Sequence, residues 1–268
     1  MVVTILKNIL LTFDVEEFDL PLEYNCNIDR EEAYEISFKG MEKLLKILEN
    51  YGISATFFTV ASFANRYKSL MRRIAKKHEI ASHGYEHSDD YIILDEKNTY
   101  QRIKKSREVL ENVCKTKVFG FRAPTFRFNK YSILGKAGYV YDSSLHPTYI
   151  PGRYNNLLCS RYVFNYKDIK VIPVSVIPLF RISLFWLFFR NFGLKYAELG
   201  TKMCFLDSKF VHLIFHPWEF VSINKFDIPF MIKRNTGEKM IYMLENYIGW
   251  CKSNNYKFTT IKDFLKVK

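Results

Sequence analysis

Cysteine is scarce and badly placed for bonding. The five residues Cys26, Cys114, Cys159, Cys204 and Cys251 are an odd number, widely separated, with no C-x-x-C pair. That spacing excludes a disulfide framework and a cysteine-based zinc site. Nor is there the ~20-residue apolar run that a membrane-spanning helix needs. The most apolar stretch, Ile177 to Phe189, is interrupted by Pro178 and Arg181 and followed by Arg190. It reads as a core helix, with a lipid- or substrate-facing flap as the alternative and a peripheral membrane contact as its consequence. The start has no basic n-region, long apolar h-region or small-residue cleavage site, so a cytoplasmic chain is expected. No repeat, low-complexity tract or Pro/Gly/Ser linker divides the 268 residues, and one domain covering 1–268 is expected.

Acidic residues are in deficit, 28 Asp+Glu against 40 Lys+Arg, which leaves a formal charge of +12. Such a surface favours anionic partners, among them acidic glycans, sugar nucleotides, lipid phosphates or a membrane face. The lysines are scattered and no RNA- or DNA-reading motif accompanies them, so nucleic acid is not an expected partner. A hydrophobic share of 48% with 25% charged residues excludes disorder, and the 17% aromatic content is high.

What is present is an alternation of short apolar runs with helical patterns. Asn8 to Phe13 reads as a buried strand that ends in Asp14-Val15-Glu16-Glu17-Phe18-Asp19. From Glu31 to Tyr51 the apolar positions follow helical spacing, with Gly52 as the stop. Ala55 to Val60 is a second strand. A single helix follows, with Phe63, Tyr67, Leu70, Met71 and Ile74 on one face, then a strand at Glu79 to Ser82 and a helix over Asn98 to Val113. Val118 to Phe121, a strand pair within Arg161 to Val176, and Val211 to Phe215 continue the pattern, before a helix carrying Met240, Leu244, Tyr247 and Ile248, a short strand and a last helix. A repeat of roughly 30 residues predicts βα units around a parallel sheet or barrel, an α/β fold whose active sites form at the carboxyl ends of strands.

Three strand ends offer reactive groups. They are Asp14/Glu16, His83/His87 and His216, and the histidines are part of a set of only six. In His83-x-x-x-His87 the spacing can place both imidazoles on one side of a helical turn, where one metal ion takes both. A carboxylate with two histidines suits Zn²⁺ and leaves positions for water and substrate. A second carboxylate can serve as general base and a further histidine can protonate a leaving amine. Amide hydrolysis needs all of these. His78 reads as a surface residue and His212 as a core residue, whereas His146 is open between the two roles.

Thr12-Phe13-Asp14, His83-x-x-x-His87, Arg122-Ala123-Pro124, Asp142-Ser143-Ser144 and Leu213-Ile214-Phe215-His216 stand in the order of the five motifs of polysaccharide deacetylases. From about Leu10 to Glu219 the chain resembles these NodB-homology proteins of carbohydrate esterase family 4. Gly-Phe-Arg-Ala-Pro, Tyr-Asp-Ser-Ser and His-Pro-Trp-Glu look most like its bacterial exopolysaccharide and surface-glycan subgroup. The resemblance implies a distorted (β/α)7-type barrel. It also implies a divalent metal, usually Zn²⁺ with Co²⁺, Ni²⁺ or Mn²⁺ as alternatives, and removal of acetyl from an N-acetylated sugar. The lack of an export signal and the positive charge point to a lipid-linked or nucleotide-linked form of that sugar. Carried over by position, Asp14 is the base, Arg122 orients it, His83 and His87 hold the metal, and His216 is the acid. The family's paired aspartates are here Asp14-Val15-Glu16, which makes Glu16 the third ligand and Glu17 its substitute. Asp142 either orients Arg122 or His216 or packs beneath the site, and Glu219 either tunes His216 or lies exposed. Pro124, Phe126 and Trp218 are the candidate substrate contacts, the aromatics by stacking on a pyranose. Alternatives are a non-sugar amide hydrolase resembling the metal-independent allantoinases and an inactive binding protein.

Overall fold

The structure is a computed structural model that describes residues 7–267. Its strands are β1 (Asn8–Val15), β2 (Thr56–Thr59), β3 (Glu79–Ser82), β4 (Gly120–Phe121), β5 (Tyr141–Asp142), β6 (Tyr149–Ile150), β7 (Tyr154–Asn155), β8 (Phe164–Tyr166), β9 (Ile169–Val171), β10 (Phe210–Phe215) and β11 (Lys257–Phe258). The helices are α1 (Arg30–Asn50), α2 (Ala61–Arg66), α3 (Lys68–Ala75), α4 (Glu96–Cys114), α5 (Tyr131–Lys136), α6 (Trp186–Cys204), α7 (Phe230–Lys233), α8 (Glu238–Ser253) and α9 (Ile261–Phe264).

One curled sheet runs in the order β10-β1-β2-β3-β4-β5-β9-β8, with β11 added to β1 and β6-β7 forming a separate hairpin. From β10 to β9 neighbours are parallel, and β8 joins β9 antiparallel. The expected distorted α/β barrel is therefore present as a half-barrel. Across the gap between β9 and β10, Ser175 donates its amide to His212 O (3.1 Å) and its Oγ accepts from His212 N (2.9 Å).

Side chains alternate across a strand, and the alternation sorts the core into two parts. Ile9, Leu11, Phe13 and Val15 of β1 pack outward in the large cluster with the helices. Leu10 points inward with Phe58, Ala81, Tyr141 and Phe210. Gly120 takes the same inward phase on β4, and only glycine fits there, because a Cβ would lie 2.0 Å from the Tyr141 ring. The helices begin where short polar residues satisfy their free amides. Asp29 accepts from Glu31 N and Glu32 N at α1, and Asp95 accepts from Asn98 N at α4.

Two local expectations change, and one hairpin is an addition to them. The helix expected through Phe63 and Ile74 breaks at Tyr67 (φ −111°, ψ 49°), whose ring packs 4.7 Å from Phe38 and 4.8 Å from Phe63. Ile177 to Phe189 is not one helix. Pro178 cannot supply a helical N–H, and the chain instead turns back on itself through a Val176–Ser183 bridge before α6 starts at Trp186. The β6-β7 hairpin has only two residues per strand, too few for a period to show in sequence.

Candidate active site

The inward phase of the sheet, carried one step past the strand ends, places the reactive side chains together. Leu10, Thr12 and Asp14 share that phase on β1, and Glu16 is the next residue in it. His83 follows Ala81, Arg122 follows Gly120, and His216 follows His212 and Ile214. The parallel order brings these ends to one rim of the sheet.

Glu16, His83 and His87 have ligand atoms that all lie within 4.8 Å of one another. Glu16 Oε2 is 3.2 Å from His83 Nε2 and 3.1 Å from His87 Nε2, yet this buried oxygen has no aligned hydrogen-bond donor. Both histidines are fixed through their other nitrogen. His83 Nδ1–H donates to Arg122 O (2.9 Å), and His87 Nδ1–H donates to both Asp19 oxygens (2.9 Å each). Each Nε2 is thereby turned toward Glu16, the arrangement by which outer partners orient metal-binding imidazoles. Burial alone would raise the Glu16 carboxyl, but the His87 charge and the neighbouring His83 and His216 hold it down at about 2. Burial opposes the charge on His87, while Glu16 and Asp19 outweigh that and raise it to about 10. A buried carboxylate and a largely buried imidazole that hold opposite charges through each other and through Asp19 form a site where a cation can replace the protons. Glu17 lies outside this group. His83 and His87 meet across a loop and not on a helical turn, since the segment after β3 has no helical residue until α4.

Asp14 is buried beside the cluster, its Oδ2 3.9 Å from His83 Nε2. Arg122 Nη1 donates to Asp14 Oδ1 at 2.5 Å. The guanidinium is itself held: Nη2 reaches Thr12 Oγ1 (3.1 Å), Ser143 Oγ (3.0 Å) and His212 Nε2 (2.8 Å), Nε reaches Ser143 O (3.3 Å), and the Phe58 ring lies 3.9 Å beneath. His212 is the expected core residue, but one with a task. Its Nδ1–H donates to Pro173 O, which leaves Nε2 to accept from Arg122, and burial with the nearby Arg122 charge keeps it neutral. Asp142 does not reach Arg122 or His216 with a hydrogen bond. Tyr141 and Ser143 hold the inward positions of that strand end, so Asp142 is out of phase and instead takes Ser144 N (2.8 Å) and Ser144 Oγ (2.6 Å). Ser144 Oγ in turn accepts from Ala123 N, which braces the loop that carries Arg122. Burial pushes Asp142 up to about 7.

On the opposite side stands His216, with Nε2 3.8 Å from Glu16 Oε1. Glu219 is fully buried, not exposed. Its Oε1 accepts from His216 N (2.7 Å) and pairs with His216 Nδ1 (3.2 Å), while Arg190 Nε donates to its Oε2 (2.7 Å). Burial disfavours the imidazolium, but Glu219 and the Glu16 and Asp14 carboxylates outweigh it and raise the His216 pKa. The Trp218 ring stacks on His216 (5.1 Å, 22°) and Trp186 meets it edge-on (5.4 Å, 88°).

These groups form the floor of a pocket of about 240 Å³. Its walls include Phe126, Trp218, Tyr154, Phe185, Trp186 and Phe188. Pro124 is buried and faces a neighbouring cleft with Asp19 and His87. Of Ile177 to Phe189, the last four residues before Phe189 line the pocket, which makes that end one of its walls. His146 supports it from behind, with Nδ1 2.8 Å from Tyr154 Oη and Nε2 2.7 Å from Ser183 Oγ. His78 is half-buried and not a surface residue; its Nδ1 accepts from Ala55 N (3.3 Å) and burial lowers it to about 4.

A sequence model described as polysaccharide deacetylase matches residues 5–141, just over half of the 268. The chain belongs to the polysaccharide deacetylase family. Among curated relatives of this family, the peptidoglycan deacetylase of Helicobacter pylori is 29% identical over 116 residues, 42% of this chain and 39% of that protein. The matched part thus spans about two fifths of that relative's length. Among solved structures, a probable polysaccharide deacetylase from Pseudomonas aeruginosa superposes with a TM-score of 0.68 at 19% identity, covering 97% of this chain and 89% of the other. A carbohydrate esterase family 4 pseudoenzyme from Bacillus anthracis also shares the fold (TM-score 0.59, 14% identity, 97% and 66% covered).

The pairing of Arg190 with Glu219 has no local signature in the sequence. They are 29 residues apart, and the one visible signal was an arginine ending the most apolar stretch of the chain.

Proposed function

We propose that this polysaccharide deacetylase relative is a metal-dependent hydrolase of carbon–nitrogen bonds that removes acetyl from an N-acetylated sugar, working as one catalytic domain. The observation that carries this reading is the Glu16-His83-His87 cluster flanked by Asp14 on one side and His216 on the other. The donor set, one carboxylate and two imidazoles with a buried unpartnered Glu16 oxygen, fits a divalent cation such as Zn²⁺. Such a cation, when bound, polarises an acyl oxygen and makes water more acidic.

The chain's own residues supply the rest. Asp14, held by Arg122, takes a proton from water as its oxygen adds to the acetamide carbon. His216, kept basic by Glu219, gives a proton to the sugar nitrogen as the C–N bond breaks, leaving acetate and a free amine. Arg122 aims Asp14 through its Nη1 bond to Oδ1. Phe126 offers a face for a pyranose ring, whereas Trp218, the other candidate, is almost wholly buried with its ring stacked on His216. The substrate we favour is a surface-glycan or exopolysaccharide precursor handled in the cytoplasm, on a lipid or nucleotide carrier.

Acetate release from N-acetylglucosamine oligomers, with and without Zn²⁺, tests the reading, with Asp14→Asn as control. Metal-dependent release lost in the variant is the expected result. Hydrolysis of a non-sugar amide alone, or no hydrolysis by a metal-loaded protein, would overturn it.

A further inference from the structure

Three exposed segments beside the pocket share an unusual composition. At the turn of the Val176–Ser183 hairpin, Leu179 is 89% and Phe180 71% exposed. Leu179 (φ 67°) and Arg181 (φ 54°) both adopt left-handed backbone, which non-glycine residues rarely do and which holds this turn outward. In the loop after β7, Leu158 is fully exposed. Along the outer face of α6, Lys195, Leu199 and Lys202 are exposed, and Leu206 follows at the helix end.

Contacts tie the three segments to one another. Arg181 Nη1 donates to Cys159 O (2.9 Å), which ties the turn to the Leu158 loop. Arg161 pairs with Asp207, which ties that loop to the end of α6. Cys204 Sγ lies 3.4 Å from Val176 O, which seats the hairpin on α6. The surface also meets the pocket. His146 joins Tyr154 to Ser183, and the Phe188 ring, which lines the pocket, lies 5.4 Å from the exposed ring of Phe192.

Bare apolar tips on separate loops, interleaved with Lys195, Lys202 and Arg181, are poorly matched to water and to a second copy of the same chain. Two such faces would bring like charges together in a protein of net +12. An anionic lipid surface satisfies both features, since it takes apolar side chains into its acyl boundary and leaves basic groups among the phosphates. Among the described residues no helix is long and apolar enough to cross a membrane. We infer that Leu158, Leu179, Phe180, Leu199 and the flanking basic residues dock this protein on an anionic phospholipid bilayer, placing the pocket mouth over sugars held at that surface. The docking stands on the surface alone; that the substrate is a membrane-held sugar rests on the deacetylase reading.

Sedimentation with phosphatidylglycerol and phosphatidylcholine vesicles tests the docking, and acetate release from a water-soluble N-acetylglucosamine oligomer is followed in parallel. Wild type should bind the anionic vesicles and release them at high salt. Leu158→Glu/Phe180→Glu should weaken binding at least tenfold with acetate release from the soluble oligomer unchanged, and Lys195→Glu/Lys202→Glu should do the same. Absence of binding at low salt, equal binding to both vesicles, or binding untouched by either variant would overturn the docking. So would a dimer in light scattering that the Leu158→Glu/Phe180→Glu variant disperses. Loss of acetate release with intact vesicle binding would strike the deacetylase reading instead.

Discussion

Replacing Arg190 by Met tests how His216 is held. Arg190 and Glu219 are both fully buried, and the guanidinium spends its donors on Glu219 Oε2 (2.7 Å), Ile232 O (2.7 Å) and Arg234 O (2.5 Å). Methionine fills much of the same volume but supplies no donor, so a buried carboxylate loses its counter-charge. Breaking one side of a buried pair costs about 3–5 kcal/mol. Replacing both sides removes the stranded charge, so Arg190→Met/Glu219→Gln should recover about half of that loss or more. Urea unfolding with the double-mutant cycle measures it, at constant m-value. The kinetic consequence is separate. With Glu219 free to turn, His216 loses the acceptor that fixes its ring, and a misplacement of about 1 Å lowers kcat by about 10²-fold. A loss below about 1 kcal/mol in Arg190→Met, or strict additivity of the two single changes, would refute the reasoning.

Other outcomes follow from the same geometry. Arg122→Lys keeps a charge but not the fork that bonds Asp14, Thr12, Ser143 and His212; it should cost at least about 2 kcal/mol in urea unfolding and lower kcat rather than raise KM. His146 is lowered to about 3 by burial and the Arg122 charge, so the folded protein keeps it neutral while the unfolded chain protonates it near pH 6.5. Its contribution is therefore present above pH 6.5 and is lost as pH falls toward 3, about 2 kcal/mol by pH 5. His146→Asn should flatten the acid limb of stability against pH by that amount. Phe185→Ala removes a pocket wall and should raise KM several-fold, about 1 kcal/mol, with little change in kcat.

The strand ends were legible because a buried parallel sheet leaves apolar runs with polar residues only where the strand stops. Thus Asn8 to Phe13 followed by Asp14, and Val211 to Phe215 followed by His216, mark the rim of the sheet directly. The choice between Glu16 and Glu17 was also present in the pattern, because Thr12, Asp14 and Glu16 share one phase of an alternating strand and Glu17 does not. By that rule Asp142 is out of phase with Tyr141 and Ser143, which is why it braces a loop rather than the reacting groups. What could not be read was contact made across the fold. His212 looks like a core residue because it is one, and only the register of β1 on β10 brings its ring to Arg122. Arg190 breaks an apolar pattern, but nothing local says that its partner is Glu219. The hairpin turn at Leu179 hides in a stretch whose composition suits a helix, since Pro178 and two left-handed residues decide its path.

The division of labour between Glu16 and Asp14 is tested most directly by metal titration and acetate release on the same preparations of wild type, Glu16→Gln and Asp14→Asn. If Glu16, His83 and His87 hold the cation and Asp14 moves the proton, Asp14→Asn binds one equivalent of Zn²⁺ and releases no acetate, while Glu16→Gln loses both. Wild-type zinc affinity in Glu16→Gln, or acetate release surviving in Asp14→Asn, would contradict it.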